Sequence, residues 1–317
     1  MKNIVVFGGG TGMSQLLRGL KLFPLNVTAV VCVSDSGSST GILREIYDIP
    51  AVGDISKVLL NVSNMDEDLK DLLNYRIKSS NGCEFNHSIK NLILTALIDL
   101  KGSLSEAVIE FSKIFNIDGT VLPLTEDNVN LMALTADGET IIGEANITEA
   151  KKTIASIWYD KEFKVNSKVI NAIKNADCII FPPGSLFTSI LPHLMVPDVV
   201  DAINESKAKK LYVCNLVTQP GETTNFTVSD HLKIISKALR DKNVDTVIAN
   251  KAKISKTISN KYQTAEQKLP VVYDEDEIIK LGVKPIADNL YVIENNIIRH
   301  DYLKTAYLVY SYLMGDK

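Results

Sequence analysis

No uninterrupted run of about 18 apolar residues occurs anywhere in the 317-residue sequence, so a single membrane-spanning helix of ordinary length is excluded. The first residues pass directly into a β-type stretch without a basic-apolar-small signal pattern, and a cytoplasmic protein with no membrane insertion is expected. Basic surplus is lacking too: 34 Lys and Arg against 38 Asp and Glu leave a net charge of -4, too little positive field to attract a nucleic-acid backbone. A negative ligand has to be met locally. Cysteines are few and scattered. Cys32, Cys83, Cys178 and Cys214 form no C-x-x-C pair, and three of them lie in or beside apolar runs, which suits reduced core thiols better than zinc ligands. No Pro-, Gly- or Ser-rich linker, internal repeat or low-complexity tract divides the chain, so residues 1–317 are expected to form one composite domain.

What the chain does have is alternation. Asn3 to Phe7, Val27 to Val33, Cys178 to Phe181, Leu211 to Cys214 and Thr246 to Ala249 read as buried β-branched strands. Helical periodicity follows in Met13 to Lys21, Val196 to Glu205 and Val228 to Arg240. This pattern predicts an α/β fold with a doubly wound, mostly parallel sheet. Three amphipathic pieces between about residues 66 and 115 predict a helical insertion over that sheet. From about 120 to 159 alternating runs broken by Asp137-Gly138 predict a small antiparallel patch.

The first strand opens into Gly8, Gly9, Gly10, Thr11 and Gly12 before a helix begins near Met13. Bare backbone at a helix N-terminus suits a phosphate. The turn is nevertheless not a dinucleotide fingerprint, because G-x-G-x-x-G counted from Gly8 needs glycine where Met13 stands, and no Gly-Lys-Ser/Thr follows to make a Walker loop. A nicotinamide oxidoreductase is disfavoured accordingly. Asp35 ends the second strand and leads into "SGSSTG", Ser36 to Gly41, read as a flexible hydroxyl-rich loop able to cradle phosphate oxygens.

Asp54 begins a helix, where a carboxylate caps N–H groups or holds a phosphate-bound metal. His87, Ser88 and Asn91 gather near another helix start. "FPPGSLFTSILPHL" places Gly184, Ser185, Leu186 and Thr188 at a strand's carboxyl end, and "CNLVTQPGETTNFTVSDH" brings Asn215 and Thr218 after another strand, ahead of a helix capped near Ser229 or Asp230. Ser185 lacks the Gly-x-Ser-x-Gly elbow and no Cys-His pair is near, so no nucleophile and base announce themselves.

Four segments in this order, "GGGTGMSQLLRGLK", "VSDSGSSTGILR", "PPGSLFTSILPHLMVP" and "NLVTQPGETTNFTVSDH", resemble the bacterial gluconeogenesis-factor family, a branch of the 2-phospho-L-lactate transferase-like superfamily. The resemblance implies a Rossmann-like core that binds a nucleotide diphosphate: a UDP-sugar such as UDP-N-acetylglucosamine in one branch, a guanine nucleotide in the other. It also implies a role in cell-shape and cell-wall homeostasis on gluconeogenic carbon, and a homodimer is expected. The nucleotide contacts implied are Gly9, Gly10, Thr11, Gly12, Ser14, Asp35, Ser38, Ser39, His87, Asn91, Gly184, Ser185, Leu186, Thr188, Asn215 and Thr218, joined by Tyr262 and Arg299 in positions matching the sugar-nucleotide branch. In the transferase branch, residues resembling Asp35 and Asp54 hold a divalent metal.

Departures from the family pattern bear on chemistry. Ser36 stands where a second Asp is usual, Ser56-Lys57 where Arg-Asn is usual, and Asn86 and Lys90 replace two glycines of a Gly-His-Ser-Leu-Gly-Asn motif. The expectation is binding that requires no cofactor, with Mg²⁺ as the one candidate metal and little or no turnover. The alternative is a metal-dependent transferase using a nucleotide-diphosphate donor.

Overall fold

The computed structural model describes residues 1–77, 86–255, 262–264, 266–294 and 297–315. The run Ile4-Val5-Val6-Phe7 needs apolar cover on both sides, and β1 (Lys2–Gly8) receives it near the middle of a seven-stranded sheet. Helix α1 (Gly10–Leu20) leads to β2 (Leu25–Val31); α2 (Ser38–Tyr47), α3 (Gly53–Val62), α4 (Glu67–Asn74), α5 (Ile89–Lys101) and α6 (Leu104–Ile114) follow before β3 (Thr120–Pro123). After β4 (Leu131–Thr135), β5 (Thr140–Ile142), α7 (Glu144–Ala150), β6 (Ile154–Tyr159) and α8 (Ser167–Lys174), the chain re-enters the main sheet at β7 (Cys178–Phe181). Then come α9 (Leu191–Leu194), α10 (Pro197–Glu205), β8 (Lys209–Val213), α11 (Val228–Ala238), β9 (Thr246–Asn250) and β10 (Lys284–Asp288). A hairpin of β11 (Tyr291–Glu294) and β12 (Ile297–His300) precedes the helix Tyr302–Met314.

The sheet order is β10-β9-β8-β7-β1-β2-β3, and all six pairings are parallel. Side-chain alternation divides the core. Ile4 and Val6 face a layer built from α1, α3, α5, α6 and the helix Tyr302–Met314, while Val5 and Phe7 face α8, α10, α11 and the small antiparallel sheet. Helix α1 is pressed against Tyr302–Met314: a Cβ at Gly19 would run into the Tyr302 carbonyl, Arg18 lies 4.4 Å over the Tyr302 ring, and Phe23 stacks on Tyr310 at 4.9 Å.

Three expectations need correcting. The antiparallel sheet, ordered β5-β4-β6, starts at Leu131; Thr120–Pro123 instead extends the main sheet, pairing parallel with β2 from Thr28↔Thr120 to Val31↔Pro123. Its left-handed turn residue is Gly138, with φ +89°. Of "SGSSTG", only Ser36 and Gly37 are loop; Ser38 to Gly41 form the first turn of α2. Helix α11 is capped by Thr227, whose hydroxyl accepts from Asp230 N–H while the Asp230 carboxylate accepts from Thr227 N–H, a reciprocal capping box. Cys32, Cys178 and Cys214 are buried free thiols, and Cys83 lies outside the described residues. Among the described residues no single helix is long and apolar enough to cross a membrane.

Candidate functional site

The strand order reverses direction at β1. The chain moves outward from β1 to β2 and β3, then returns to lay β7 on the other side of β1. Open α/β sheets bind ligands in the crevice at such a switch point, beyond the strands' carboxyl ends. Here the crevice is floored by the turn after β1 and by Pro182–Ser185 after β7. With the loop after β8 and the strand β12, they enclose a cavity of about 440 Å³ lined by Gly9 to Gly12, Gln15, Pro183 to Ser185, Ser189, Asn215 to Val217, Gln219, Lys268 and Ile298 to His300. That is room for a nucleotide-sized ligand.

Glycine serves different ends at neighbouring positions. Gly10 has φ +65° and a Cβ there would meet nothing within 4 Å, so this residue combines a left-handed backbone with open space on the cavity side. A Cβ on Gly12 would collide with the Pro183 carbonyl, so this glycine lets the first turn of α1 sit against the Pro-Pro-Gly loop. A Cβ on Gly9 would strike the Asp54 carboxylate, which lies against the N-terminus of α1. The protein's own carboxylate therefore occupies part of the helix N-terminus that a phosphate would favour.

The loop after β7 is fixed by side chains from the loop after β8. Asn215 donates from Nδ2 to Gly184 O (2.7 Å) and accepts from Gly184 N–H at Oδ1 (2.8 Å). Ser185 caps the π-helical turn Leu186–Ile190, accepting from Thr188 N–H (3.0 Å) and Thr188 Oγ1 (2.7 Å) and donating to Glu222. Glu222 is buried and also accepts from Phe187 N–H and Gln219 Nε2, each at 3.2 Å. Ser185 contributes shape to the cavity, its hydroxyl engaged by Glu222 and Thr188.

Across the glycine turn lies a second cavity of about 230 Å³, lined by Asp35, Gly37, Ser39, Thr40, Gly53, Asp54, Lys57, Arg76, Ser88, Lys90 and Asn91. Asp35 Oδ1 accepts from Gly37 N–H (2.8 Å). Burial and the Asp35 charge push the Asp54 carboxyl up to about 6. Glu144, at the start of α7, is pushed up to about 7 by burial and the same Asp35. Ser36 accepts from Ala145 N–H (3.2 Å) and so serves α7. Among the described residues no group of three or more His, Cys, Asp or Glu could hold a metal ion. A divalent cation would find two carboxylates, Asp35 and Asp54, and would need ligand phosphate oxygens to complete its shell.

The remaining expected residues separate into cavity walls and structural ties. Ser39 bonds His87 Nδ1 (2.8 Å) and accepts from Asn91 Nδ2 (3.4 Å), while Asn91 Oδ1 accepts from Ser56 (2.7 Å), a buried network joining α2, α3 and α5. The Ser38 side chain lies outside what the structure describes. Ser14 donates to Gly10 O (2.8 Å), Thr218 is buried and accepts from Leu269 N–H (3.0 Å), and Leu186 is core. Thr11 and Arg299 line the first cavity. Tyr262 does not: it is buried, and its hydroxyl accepts from Ile298 N–H at 2.6 Å.

Several residues of the site escaped sequence reading. Lys268 and His300 line the first cavity, with His300 Nε2 against Cys214 O (3.1 Å) and its pKa lowered to about 4 by burial. Arg44 is buried and fastens α2 to Asn128 Oδ1 (2.7 Å), Val129 O (2.7 Å) and Asp35 O (3.1 Å). Its place inside the quoted "STGILR" segment was the one available signal.

Residues 4–291 match the family model of 2-phospho-L-lactate transferase CofD. The chain is 40% identical over 306 residues to a gluconeogenesis factor of Halalkalibacterium halodurans, covering 96% of this chain and 94% of that one. It is likewise 40% identical over 311 residues to a gluconeogenesis factor of Bacillus subtilis, covering 98% of each. A crystal structure of a Bacillus halodurans protein superposes with a TM-score of 0.93 at 39% identity, over 98% of this chain and 99% of that one. The chain belongs to the gluconeogenesis factors, within the family of 2-phospho-L-lactate transferase CofD.

Proposed function

We propose that the protein binds a nucleotide sugar, of the UDP-N-acetylglucosamine type, as a regulatory ligand in the cytoplasm, and that it serves cell-shape and cell-wall homeostasis on gluconeogenic carbon. The observation that carries this reading is the 440 Å³ cavity at the switch point, where the glycine turn and the Pro-Gly-Ser loop face the cations Lys268 and Arg299. Backbone N–H groups and these two side chains suit a diphosphate, with no metal required for affinity. Buried free thiols at Cys32, Cys178 and Cys214 suit a reducing compartment.

A second reading, a metal-dependent transferase, draws on the Asp35–Asp54 pair. These carboxylates would hold Mg²⁺ together with the donor's phosphates, and the ion would supply charge neutralisation of the leaving group. Against it stands Ser36, which takes the place of a second carboxylate and is engaged by α7.

Calorimetric titration with UDP-N-acetylglucosamine, GDP and NAD, each with and without Mg²⁺, separates the readings. Metal-independent affinity for the UDP-sugar is expected. Multiple turnovers that transfer the donor's distal phosphoryl-linked group to an alcohol acceptor and release nucleoside monophosphate as the leaving group, abolished in Asp54→Asn, would promote the transferase.

A further inference from the structure

Away from the nucleotide cleft, the sequence puts negative charge where helix geometry already supplies it. Asp48 follows the last residue of α2 and Asp99 lies in the last turn of α5, and the unpaired carbonyls of a helix C-terminus disfavour a carboxylate beside them. Asp48 also takes φ +50°, a left-handed backbone that a non-glycine residue adopts at some cost. Both residues line a groove of about 660 Å³ between α2 and α5, and among the described residues no Lys, Arg or His lines it. Lys101, the cation of the same turn of α5, is paired with Glu110 (3.2 Å). Asp48 Oδ1 accepts from Asn128 Nδ2 (2.9 Å), whereas the Asp99 carboxylate has no hydrogen-bond or ion-pair partner among the described residues. The third acid of the wall, Glu126, is committed to the start of α6, accepting from Leu104 N–H (2.8 Å) and Ser105 N–H (3.0 Å).

An independent sign comes from Thr95. It lines the same groove, it is 8% exposed, and its hydroxyl has no hydrogen-bond partner among the described residues. A buried hydroxyl left in this way is costly and calls for a partner. The rest of the wall is largely apolar, with Leu43, Tyr47 and Ile49 from α2 and the residues after it, and Leu92 and Ala96 from α5. On the same two helices Ile46, Tyr47 and Leu100 are 64%, 59% and 75% exposed.

We propose that this groove docks a basic amphipathic helix of a partner protein, its apolar face against Leu43, Tyr47 and Leu92 and a lysine or arginine between Asp48 and Asp99. A cation there meets two carboxylates and two helix C-termini at once. Apolar surface on both flanking helices extends past the groove, more than a small amine covers, and a groove between two helices is a recurrent seat for a third. A polar side chain on the partner's buried face satisfies Thr95. The groove shares no lining residue with either cavity of the nucleotide cleft, and it does not depend on what fills them. It does share two helices with the smaller cavity, which is lined by Ser39 and Thr40 at the start of α2 and Asn91 at the start of α5. A partner seated in the groove rests on the opposite ends of helices that reach the cleft.

The test uses the full chain and a fluorescein-labelled synthetic helix of about 14 leucines and lysines in amphipathic order, with a glutamate-for-lysine peptide as control, read by anisotropy. Saturable one-to-one binding of the lysine peptide is expected, weaker on the order of 10-fold or more for the glutamate peptide, for Asp99→Lys and for Tyr47→Ser. Asp276→Lys, the same charge change in the helix Glu275–Lys280 beside β10, should leave affinity within about twofold. Asp99→Lys places a cation at a helix C-terminus, so its thermal midpoint should equal or exceed that of wild type, which separates lost docking from lost folding. Absence of saturable binding, equal affinity for the two peptides, or equal losses in Asp99→Lys and Asp276→Lys overturns the proposal. So does n-octylammonium binding as tightly as the peptide and in an Asp99-dependent way, which makes the groove a small-amine site. A wild-type dimer in sedimentation that Tyr47→Ser converts to monomer overturns it too, because the groove then belongs to a second copy. None of these arms uses a nucleotide, so failure here is distinguishable from failure of UDP-sugar binding.

Discussion

Asn215 and Gly184 hold each other by two hydrogen bonds, side-chain amide to backbone in both directions, so that Asn215 acts as a strand partner for a single residue. This ties the loop after β8 to the loop after β7 at the cavity floor. Asn215→Ala removes both bonds and leaves the Gly184 N–H and C=O without their partner, a loss of about 2–4 kcal/mol. Denaturant unfolding should show it. Asn215→Asp keeps one acceptor and should lie between wild type and Ala; equal stability of all three would show that the loop is held by other means.

Gly12 and Gly10 should respond differently to an added side chain. Gly12→Ala drives a side chain into the Pro183 carbonyl and should destabilise most, because backbone on both sides must shift. Gly10→Asn keeps a residue type that tolerates φ +65°, costs roughly 1 kcal/mol, and fills space on the cavity side. Its thermal midpoint should stay near wild type while UDP-sugar affinity falls at least 10-fold. Normal affinity in a folded Gly10→Asn chain counts against the cavity as the nucleotide site.

Tyr262 and Arg299 should separate in the same assay. Tyr262→Phe loses the hydroxyl that accepts from Ile298 N–H and should cost about 1 kcal/mol of stability, with a modest effect on ligand. Arg299→Ala should leave stability within about 0.5 kcal/mol, because its ion pair with Glu294 is a loose surface contact at 3.8 Å, and should abolish nucleotide binding. The reverse pattern would return Tyr262 to the ligand.

Two sets of buried groups should pull stability in opposite directions across the same acid window, about pH 4 to 7. Glu144 has a folded-state pKa raised to about 7, so its contribution is full below the unfolded value near 4.5 and is lost as pH rises through 7. His193 and His300 are lowered to about 4, so theirs is present above 6.5 and is lost as pH falls toward 4. Glu144→Gln removes the contribution that falls between pH 4.5 and 7, so its thermal midpoint should rise more steeply over that window than the wild type's, with no change of slope above about pH 8. An unaltered slope between pH 4.5 and 7 would show that Glu144 titrates normally.

The doubly wound sheet was legible because Ile4 to Phe7, Cys178 to Phe181 and Thr246 to Ala249 are short β-branched runs that can bury both faces. The turn after β1 and the Pro-Gly-Ser loop were legible for the same reason, since strand ends mark where a crevice must form. β3 was misplaced because Thr120–Pro123 reads like its antiparallel neighbours; its partner is β2, more than 80 residues earlier, and local alternation carries no trace of that. Tyr262 was singled out by motif position, yet its environment is set by the backbone of Ile298, which no local pattern reveals. Lys57 and Lys90 stood out as departures, and only the packing of α3 against α5 shows that they share a cavity with Arg76.

The contact of α1 with the helix Tyr302–Met314 carries a consequence for biosynthesis. Gly19 and Arg18 meet a partner that is translated about 280 residues later. At roughly 5–20 residues per second, the apolar back of α1 waits on the order of 15–60 s before that partner emerges. During this interval β12, which carries Arg299, has not been made either, so a nascent chain can present the glycine turn but cannot yet close the larger cavity around a ligand. Closure of the larger cavity is thereby coupled to synthesis of β12 and the helix after it, and ribosome-stalled chains that end before Tyr302 should expose α1 to chaperones and proteases.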